Sequence, residues 1–229
     1  MKLSVLLTIS ILAANSSSVI ASDTTPWFGL TAKVGTLGGG LDLTIPTFVE
    51  EINLRAGIAG AYFDGSGTVS DIDYDASLRL LSGTLLGDYH PFNNGFRLSG
   101  GMVINGNEVT LEGQPSAGTS FTFNNTTYTA ASIGSVDAEV DFNAVAPYLG
   151  IGYGNAIGTD GNFHFAFDLG VMYQGSPNVS LTATCGAALP AAQCASLQAD
   201  VRAEETDLEA ELDDFKFYPV VSFGVSYHF

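Results

Sequence analysis

Phe163, Phe165, Phe167, Leu169, Val171 and Tyr173 alternate with His164, Ala166, Asp168, Gly170, Met172 and Gln174. A two-residue period held over about ten positions belongs to a β-strand with one apolar face, and it excludes a helix, whose apolar residues recur at three and four. The same period runs through Phe215, Phe217, Pro219, Val221, Phe223, Val225, Tyr227 and Phe229, through Phe96, Leu98, Gly100, Met102 and Ile104, and through Ile52, Leu54, Ala56, Ile58, Gly60 and Tyr62. Weaker alternation extends the set to eight segments, at 27–34, 37–45, 52–63, 74–89, 96–106, 140–153, 163–174 and 215–229. The parity of the first two changes between Val34 and Leu37, which a two-residue hairpin at Gly35-Thr36 explains by pairing those residues. One long bulged strand is the rival and gives an odd total. Phe142 is out of step with Leu149, Ile151 and Tyr153, so a bulge is expected near Ala146-Pro147.

The connections are unequal. Short turns join several neighbours, but 107–139 and 175–214 separate strands five from six and seven from eight. An even number of strands of about ten residues, with short turns on one side and long loops on the other, is the pattern of a barrel that crosses a membrane. The expected fold class is therefore all-β, an eight-stranded antiparallel up-and-down transmembrane β-barrel with two long extracellular loops. A soluble barrel has the same period with its apolar residues inside. Size separates the two, because an eight-stranded lumen leaves little room. Phe163, Phe165, Phe167, Phe217 and Phe223 share one face, while Gly57, Ser99, Gly101, Gly170, Ser222 and Gly224 stand on the other. Rings outward and small residues inward fit a barrel in lipid. Trp27, Tyr62, Tyr74, Tyr89, Tyr153 and Tyr173 near strand ends suit interfacial girdles.

Lys33, Arg55, Arg79, Arg97 and Lys216 all fall on the parity opposite to the apolar stripe, where charge avoids the lipid. With Asp42, Asp75 and Asp168 they form the expected lumen charge network, either a salt-bridged plug or the lining of a small pore. Charges enclosed in so narrow a space require partners.

Met1-Lys2, the apolar run Leu3–Leu12 and the small residues up to Ala21 describe a secretory signal at 1–21, leaving 22–229 as the barrel. With that leader, the closing strand 215–229 and its end Tyr227-His228-Phe229, the chain resembles bacterial outer-membrane barrels. The resemblance implies an outer-membrane location and an assembly signal at Tyr227 and Phe229, read by the barrel-assembly machinery. Leu41-Asp42-Leu43-Thr44, a short turn and Ile52-Asn53-Leu54-Arg55 look like strands two and three of OmpW/OmpX-type barrels. The reduced first loop departs from the OmpW pattern.

Acidic residues outnumber basic ones by 24 to 7, for a net charge of −17, yet 46% of residues are hydrophobic and the mean hydropathy is +0.25. That composition excludes a disordered acidic chain and argues against binding nucleic acid, which needs basic patches. In an exported chain Cys185 and Cys194 are expected to close a local disulfide. Val201, Leu208 and Leu212 within the acidic stretch 200–214 suggest a short helix with a solvated face. Residues 120–129 alternate around Asn124-Asn125 and read as a hairpin, either an extension of two strands above the membrane or an adhesive tip. His90, His164 and His228 each fall near the short-turn end, remote from outer-leaflet lipid chemistry, so no catalytic site, metal site or cofactor is expected. The function expected is a monomeric outer-membrane barrel with a structural or surface-interaction role, in contact with outer-membrane lipid and able to meet an extracellular ligand through 107–139 and 175–214. A narrow channel for small or hydrophobic solutes is the alternative, and a lipid-modifying enzyme is a third.

Overall fold

The computed structural model describes residues 27–229 apart from 70–71, 93, 116–117, 159–162 and 188. The expected signal peptide and its cleavage point lie outside the described residues. Chain order gives β1 (Gly29–Gly35), β2 (Gly38–Pro46), β3 (Ile52–Val69), β4 (Ile72–Tyr89), β5 (Phe96–Asn105), β6 (Glu108–Pro115), β7 (Ser120–Phe123) and β8 (Thr126–Thr129). These are followed by β9 (Ile133–Asp141), β10 (Val145–Tyr153), β11 (Phe163–Tyr173), β12 (Asn178–Cys185), α1 (Ala191–Leu212) and β13 (Phe217–His228).

Eight of these strands close an antiparallel barrel in the order β1-β2-β3-β4-β5-β10-β11-β13, with β13 returning to β1. The starts of β1, β3, β5 and β11, the ends of β2, β4, β10 and β13 and both described chain ends lie at one rim, the terminus end, while the β1-β2 turn lies at the opposite rim. The segments after β5 and β11 leave from the other, the loop end.

The expected first hairpin is present but displaced. Gly35 pairs with Gly38, so the turn is Thr36-Leu37 and Val34 faces Gly39. Leu37 is thereby freed from the outer stripe and buried over the lumen. Gly38 at φ +97° meets the requirement of the turn, since a Cβ there would also clash with the Gly60 carbonyl.

No bulge at Ala146-Pro147 is needed to explain Phe142. The expected strand 140–153 divides at residues 142–144 into β9 and β10, which belong to different parts of the sheet. The last barrel strand likewise begins at Phe217, because Asp213–Lys216 form a 3-10 turn.

The upper halves of β3 and β4 rise past the barrel rim. On β4, Tyr89–Ser82 pair with β5, whereas Arg79–Ile72 pair with β6. Strands β9 and β12 add to β6 and complete a five-stranded blade, β3-β4-β6-β9-β12, at the loop end. The apolar stripe changes faces at this boundary. Along the barrel part of β4, Leu81, Gly83, Leu85, Gly87 and Tyr89 point outward, while Ser82, Thr84, Leu86 and Asp88 point inward. Above it, Leu80, Leu78, Ala76 and Tyr74 continue the inner face, so Tyr74 belongs to the blade rather than to a girdle. The blade's inner face is apolar throughout, with Phe63, Leu78, Leu111, Val136, Ala138, Val140, Val179 and Leu181 in register.

Helix α1 and the β7-β8 hairpin cover part of that inner face. Leu197 and Val201 are buried with Phe123, Ile133, Leu181 and Ala183. The helix is longer than the expected short one, running 22 residues from Ala191 to Leu212 with Pro190 as its N-cap. Pro is tolerated there because the first turn needs no N–H donor from it. The Asn124-Asn125 turn has φ of 45° and 62°, the left-handed pair that a two-residue hairpin demands. The hairpin is present as expected and is docked on α1.

Inside the loop half of the barrel, Leu37, Leu86, Val103, Ala146, Met172 and Val220 pack around Tyr148. The Tyr148 ring lies across Gly150 and Gly170, where a Cβ would collide with it. Gly170→Val therefore overpacks the lumen and should cost about 1–3 kcal/mol. Gly100→Ala serves as the control, since its added Cβ meets nothing closer than 3.9 Å. The urea midpoint for loss of compact electrophoretic mobility should fall in the first variant and stay put in the second.

Candidate functional site

The terminus half of the lumen holds a buried ionic cluster. Arg55 on β3 is its centre: Nε lies 2.8 Å from Asp88 Oδ2, and Nη1 lies 3.2 Å from Asp168 Oδ2 and 3.5 Å from Asp42 Oδ2. Lys33 Nζ lies 2.6 Å from Asp42 Oδ1, and Arg97 Nη2 donates to Asp168 Oδ1 at 2.7 Å. Arg97 also donates to the Gly154 carbonyl. Ser99 donates to Asp88 at 2.5 Å and Ser222 to Asp168 at 3.3 Å.

Three cations, Lys33, Arg55 and Arg97, thus meet three carboxylates, Asp42, Asp88 and Asp168, and the cluster is neutral. Neutrality matters because an unmatched charge at such a site carries its full desolvation cost. Below the cluster, Thr31 and Ser226 share a 2.7 Å hydrogen bond, and the Asn53 amide reaches His90 at 3.3 Å. A polar void bounded by Thr31, Asn53, Arg55, His90, Arg97 and Ser226 lies there. Above the cluster sits the apolar layer around Tyr148. Ionic pairing and apolar packing together occupy the cross-section.

Of the residues expected in this network, Lys33, Asp42, Arg55, Arg97 and Asp168 meet in it. Asp75, Arg79 and Lys216 do not. Asp75 and Arg79 stand on the outer face of the blade, where Arg79 is 3.5 Å from Glu108. They share parity with the outward residues of β4, but at that height the outer face is acidic rather than apolar. Lys216 lies in the turn before β13 and pairs with Asp213 at 2.7 Å. Asp88, Ser99 and Ser222 complete the cluster. Asp88 was hidden because it shares parity with Tyr74, Ala76, Leu78 and Leu80. The counter-signal was Leu81, Leu85 and Tyr89, which mark the opposite residues as outward.

Cys185 and Cys194 form the expected disulfide. Tyr227 and Phe229 sit at the terminus rim, where Phe229 stacks on Phe28 at 4.8 Å and meets Tyr227 edge-on at 4.7 Å. His164 and His228 stack at 5.6 Å near the same rim, and no cluster that could hold a metal occurs among the described residues.

The blade outside the barrel has two unlike faces. Its outer face carries Asp64, Asp73, Asp75, Glu108, Glu112, Asp137, Glu139 and Asp141, against Arg79 alone. A shallow cleft on that face is lined by Tyr62, Asp64, Ser66, Asp75, Thr110 and Glu112. The outer edge of β12 is covered by α1, whose Glu205 and Glu209 accept hydrogen bonds from the amides of Leu181 and Val179 at 2.9 and 3.2 Å.

With this geometry in view, the chain can be set beside known proteins. Two solved structures of Acinetobacter baumannii proteins are similar to it. The crystal structure of CarO2 has a TM-score of 0.57 and 23% identity, over 88% of this chain and 98% of that one. That of CarO has a TM-score of 0.55 and 26% identity, over 89% and 98%. The chain shares the fold of the CarO outer-membrane barrels. The narrower likeness to OmpW/OmpX-type barrels finds no support in these matches. No protein-family model and no curated protein matches the chain.

Two predictions follow from the residues just described. Arg55→Leu leaves the cluster with a net charge of −1 and should destabilise the barrel by about 3–5 kcal/mol. Adding Asp88→Leu restores neutrality and should recover a substantial part of that loss in the same unfolding measurement. The second concerns the hairpin, which α1 holds through Asp200. That carboxylate accepts from the Tyr128 hydroxyl at 2.6 Å and from the Asn124 amide at 3.3 Å. The bond from Tyr128 foremost, then that from Asn124, hold the Asp200 carboxyl below its usual range. The bond to Asp200 also pushes Tyr128 up to about 12. A lowered carboxylate value contributes stability above the unfolded value and loses it as pH falls through the folded one. The raised phenol value contributes below its ordinary 10.0 and loses it as pH rises through about 12. Hydrogen exchange of the β7-β8 amides should therefore accelerate at both extremes, and Asp200→Asn should remove the acid limb.

Proposed function

We propose that this chain is an integral barrel of the bacterial outer membrane with a sealed lumen, acting as a monomer in a structural or surface-interaction role rather than as an enzyme or channel. The observation that carries this reading is the neutral Lys33/Arg55/Arg97 and Asp42/Asp88/Asp168 cluster beneath the apolar layer of Tyr148, Leu86, Val103 and Met172. An ion entering from either rim would have to break those pairs or displace that layer.

The membrane location is supported by the outer surface. Leu30, Ile58, Leu85, Met102, Leu149, Phe163, Phe165 and Phe223 are exposed there, an apolar belt with no purpose in water. Tyr153, Phe163, Tyr227 and Phe229 ring the terminus rim, while Tyr62, Tyr173 and Phe217 mark the other boundary. The fold likeness to CarO2 and CarO supports the same location. In this reading the terminus end faces the periplasm, the barrel wall meets lipid, and Tyr227 and Phe229 are the assembly signal. The blade then stands outside the cell, available to a ligand through 107–139 and 175–214.

Incorporation of the folded, heat-modifiable protein into planar bilayers is the test. The expected result is a silent bilayer under conditions where a porin control conducts. Discrete, reproducible openings from wild-type protein would overturn the sealed lumen in favour of the narrow channel.

A further inference from the structure

The two edges of the blade are treated differently. Along β12 the amides of Val179 and Leu181 are taken up by Glu209 and Glu205 of α1. Along β3, residues 61–68 rise above the end of β2, which pairs no further than Gly60. Their other side pairs with β4, and among the described residues nothing pairs with their outer side. Tyr62, Phe63, Asp64 and the residues up to Thr68 are exposed.

An unpaired strand edge is a template for another strand, and proteins commonly blunt such edges with lysine, proline, a bulge or a covering element. Among the described residues none of these protects 61–68, whose one charge is Asp64. The segment also lacks large side chains facing the blade's inner side beyond Phe63, since Gly65 and Gly67 have open space where a Cβ would stand.

The chemistry of the two faces specifies what would fit. On the outer face Asp64 stands on the edge strand, with Asp75 one strand and Glu112 two strands further in along the same cleft, and none of them is ion-paired among the described residues. On the inner face Phe63 is 46% exposed and Leu111 41% exposed. An added strand directs alternate side chains to these two faces.

We infer that the β3 edge at residues 61–68 accepts an extended segment of a partner protein in which basic residues alternate with apolar ones. Main-chain hydrogen bonds supply the pairing, the basic residues lie along Asp64, Asp75 and Glu112, and the apolar residues fill the space over Gly65 and Gly67 beside Phe63. A second copy of this chain suits the edge less well, because it would bring a second acidic face alongside the first. This inference rests on the reading of the blade as a surface-interaction element and names its partner class.

The test uses full-length protein folded in detergent micelles and a fluorescently labelled peptide of five Lys-Val repeats. Binding measured by anisotropy should be saturable and absent for a Glu-Val peptide of equal length. Strand addition uses only one edge of the peptide. N-methylation of every Lys amide or of every Val amide should therefore abolish binding in one case and spare it in the other. Equal binding by both methylated peptides would overturn strand addition, as would no binding of the parent peptide. Asp64→Asn/Asp75→Asn/Glu112→Gln should weaken the parent peptide about tenfold at low salt, and an unchanged affinity would overturn the assigned face. Concentration-dependent self-association of the free protein, blocked by the peptide, would assign the edge to a second copy and overturn the basic partner. None of these readouts depends on whether the lumen conducts, so bilayer recordings test the sealed barrel separately.

Discussion

The structure depends on Arg55. Its guanidinium reaches Asp42, Asp88 and Asp168, carboxylates contributed by three different strands, and among the described residues no other side chain pairs with all of them. An eight-stranded lumen is too narrow to keep such groups hydrated, so each charge requires an opposite charge at contact distance. The fork of a guanidinium meets that demand better than an ammonium could, because its donors diverge in a plane. The glycines around the cluster follow from it. A Cβ at Gly57 would collide with Asp42, and one at Gly152 would lie 2.8 Å from Arg97 Nε and 2.9 Å from Asp168 Oδ1. The small inner face is thus the space the ionic cluster and Tyr148 occupy.

The second constraint is the change of medium along the strands. Within the barrel the apolar residues of β4 point outward, which in the proposed membrane setting is toward lipid. Past the rim the outer face meets water, and the apolar residues turn inward beneath α1 and the hairpin. Leu80 and Leu81 are consecutive apolar residues because the stripe crosses there. The same crossing distributes the charge of the chain. Acidic residues outside the lumen are concentrated on the outer face of the blade and on α1, while the lumen is neutral.

This crossing also explains which features were legible in the sequence. Strands whose whole length lies in one medium, such as β11 with Phe163 to Tyr173, show a clean period, and the closed eight-stranded barrel could be counted from them. Lys33, Asp42, Arg55, Arg97 and Asp168 sit in that uniform region, and parity alone placed them on the inner face. Asp75, Arg79 and Asp88 share a strand whose apolar stripe changes faces, so a single face assumed along it puts Asp75 and Arg79 inside and leaves Asp88 out. Lys216 departs from its expected place for a different reason, since the alternation of β13 continues through Phe215 into a 3-10 turn. The blade itself was not legible. Strands β6, β9 and β12 pair across long stretches of chain, and pairing partners at that separation leave no local pattern beyond alternation.

Helix α1 shows why an acidic segment need not be merely a solvated surface. Glu205 and Glu209 are spaced i,i+4, where like charges on a helix repel. They are retained on the side facing β12 because the edge they cover presents N–H donors, and only acceptors can satisfy those. The spacing matches: from Cys194 to Glu209 the helix rises about 22 Å, and from Cys185 to Val179 the strand extends about 20 Å. The helix therefore runs antiparallel to β12, pinned by the disulfide at one end and by carboxylate–amide bonds further along. A lysine-rich helix of the same length could repel an incoming chain but could not cap these amides. The acidity of 200–214 is, at Glu205 and Glu209, the means by which one edge of the blade is closed while the other stays open.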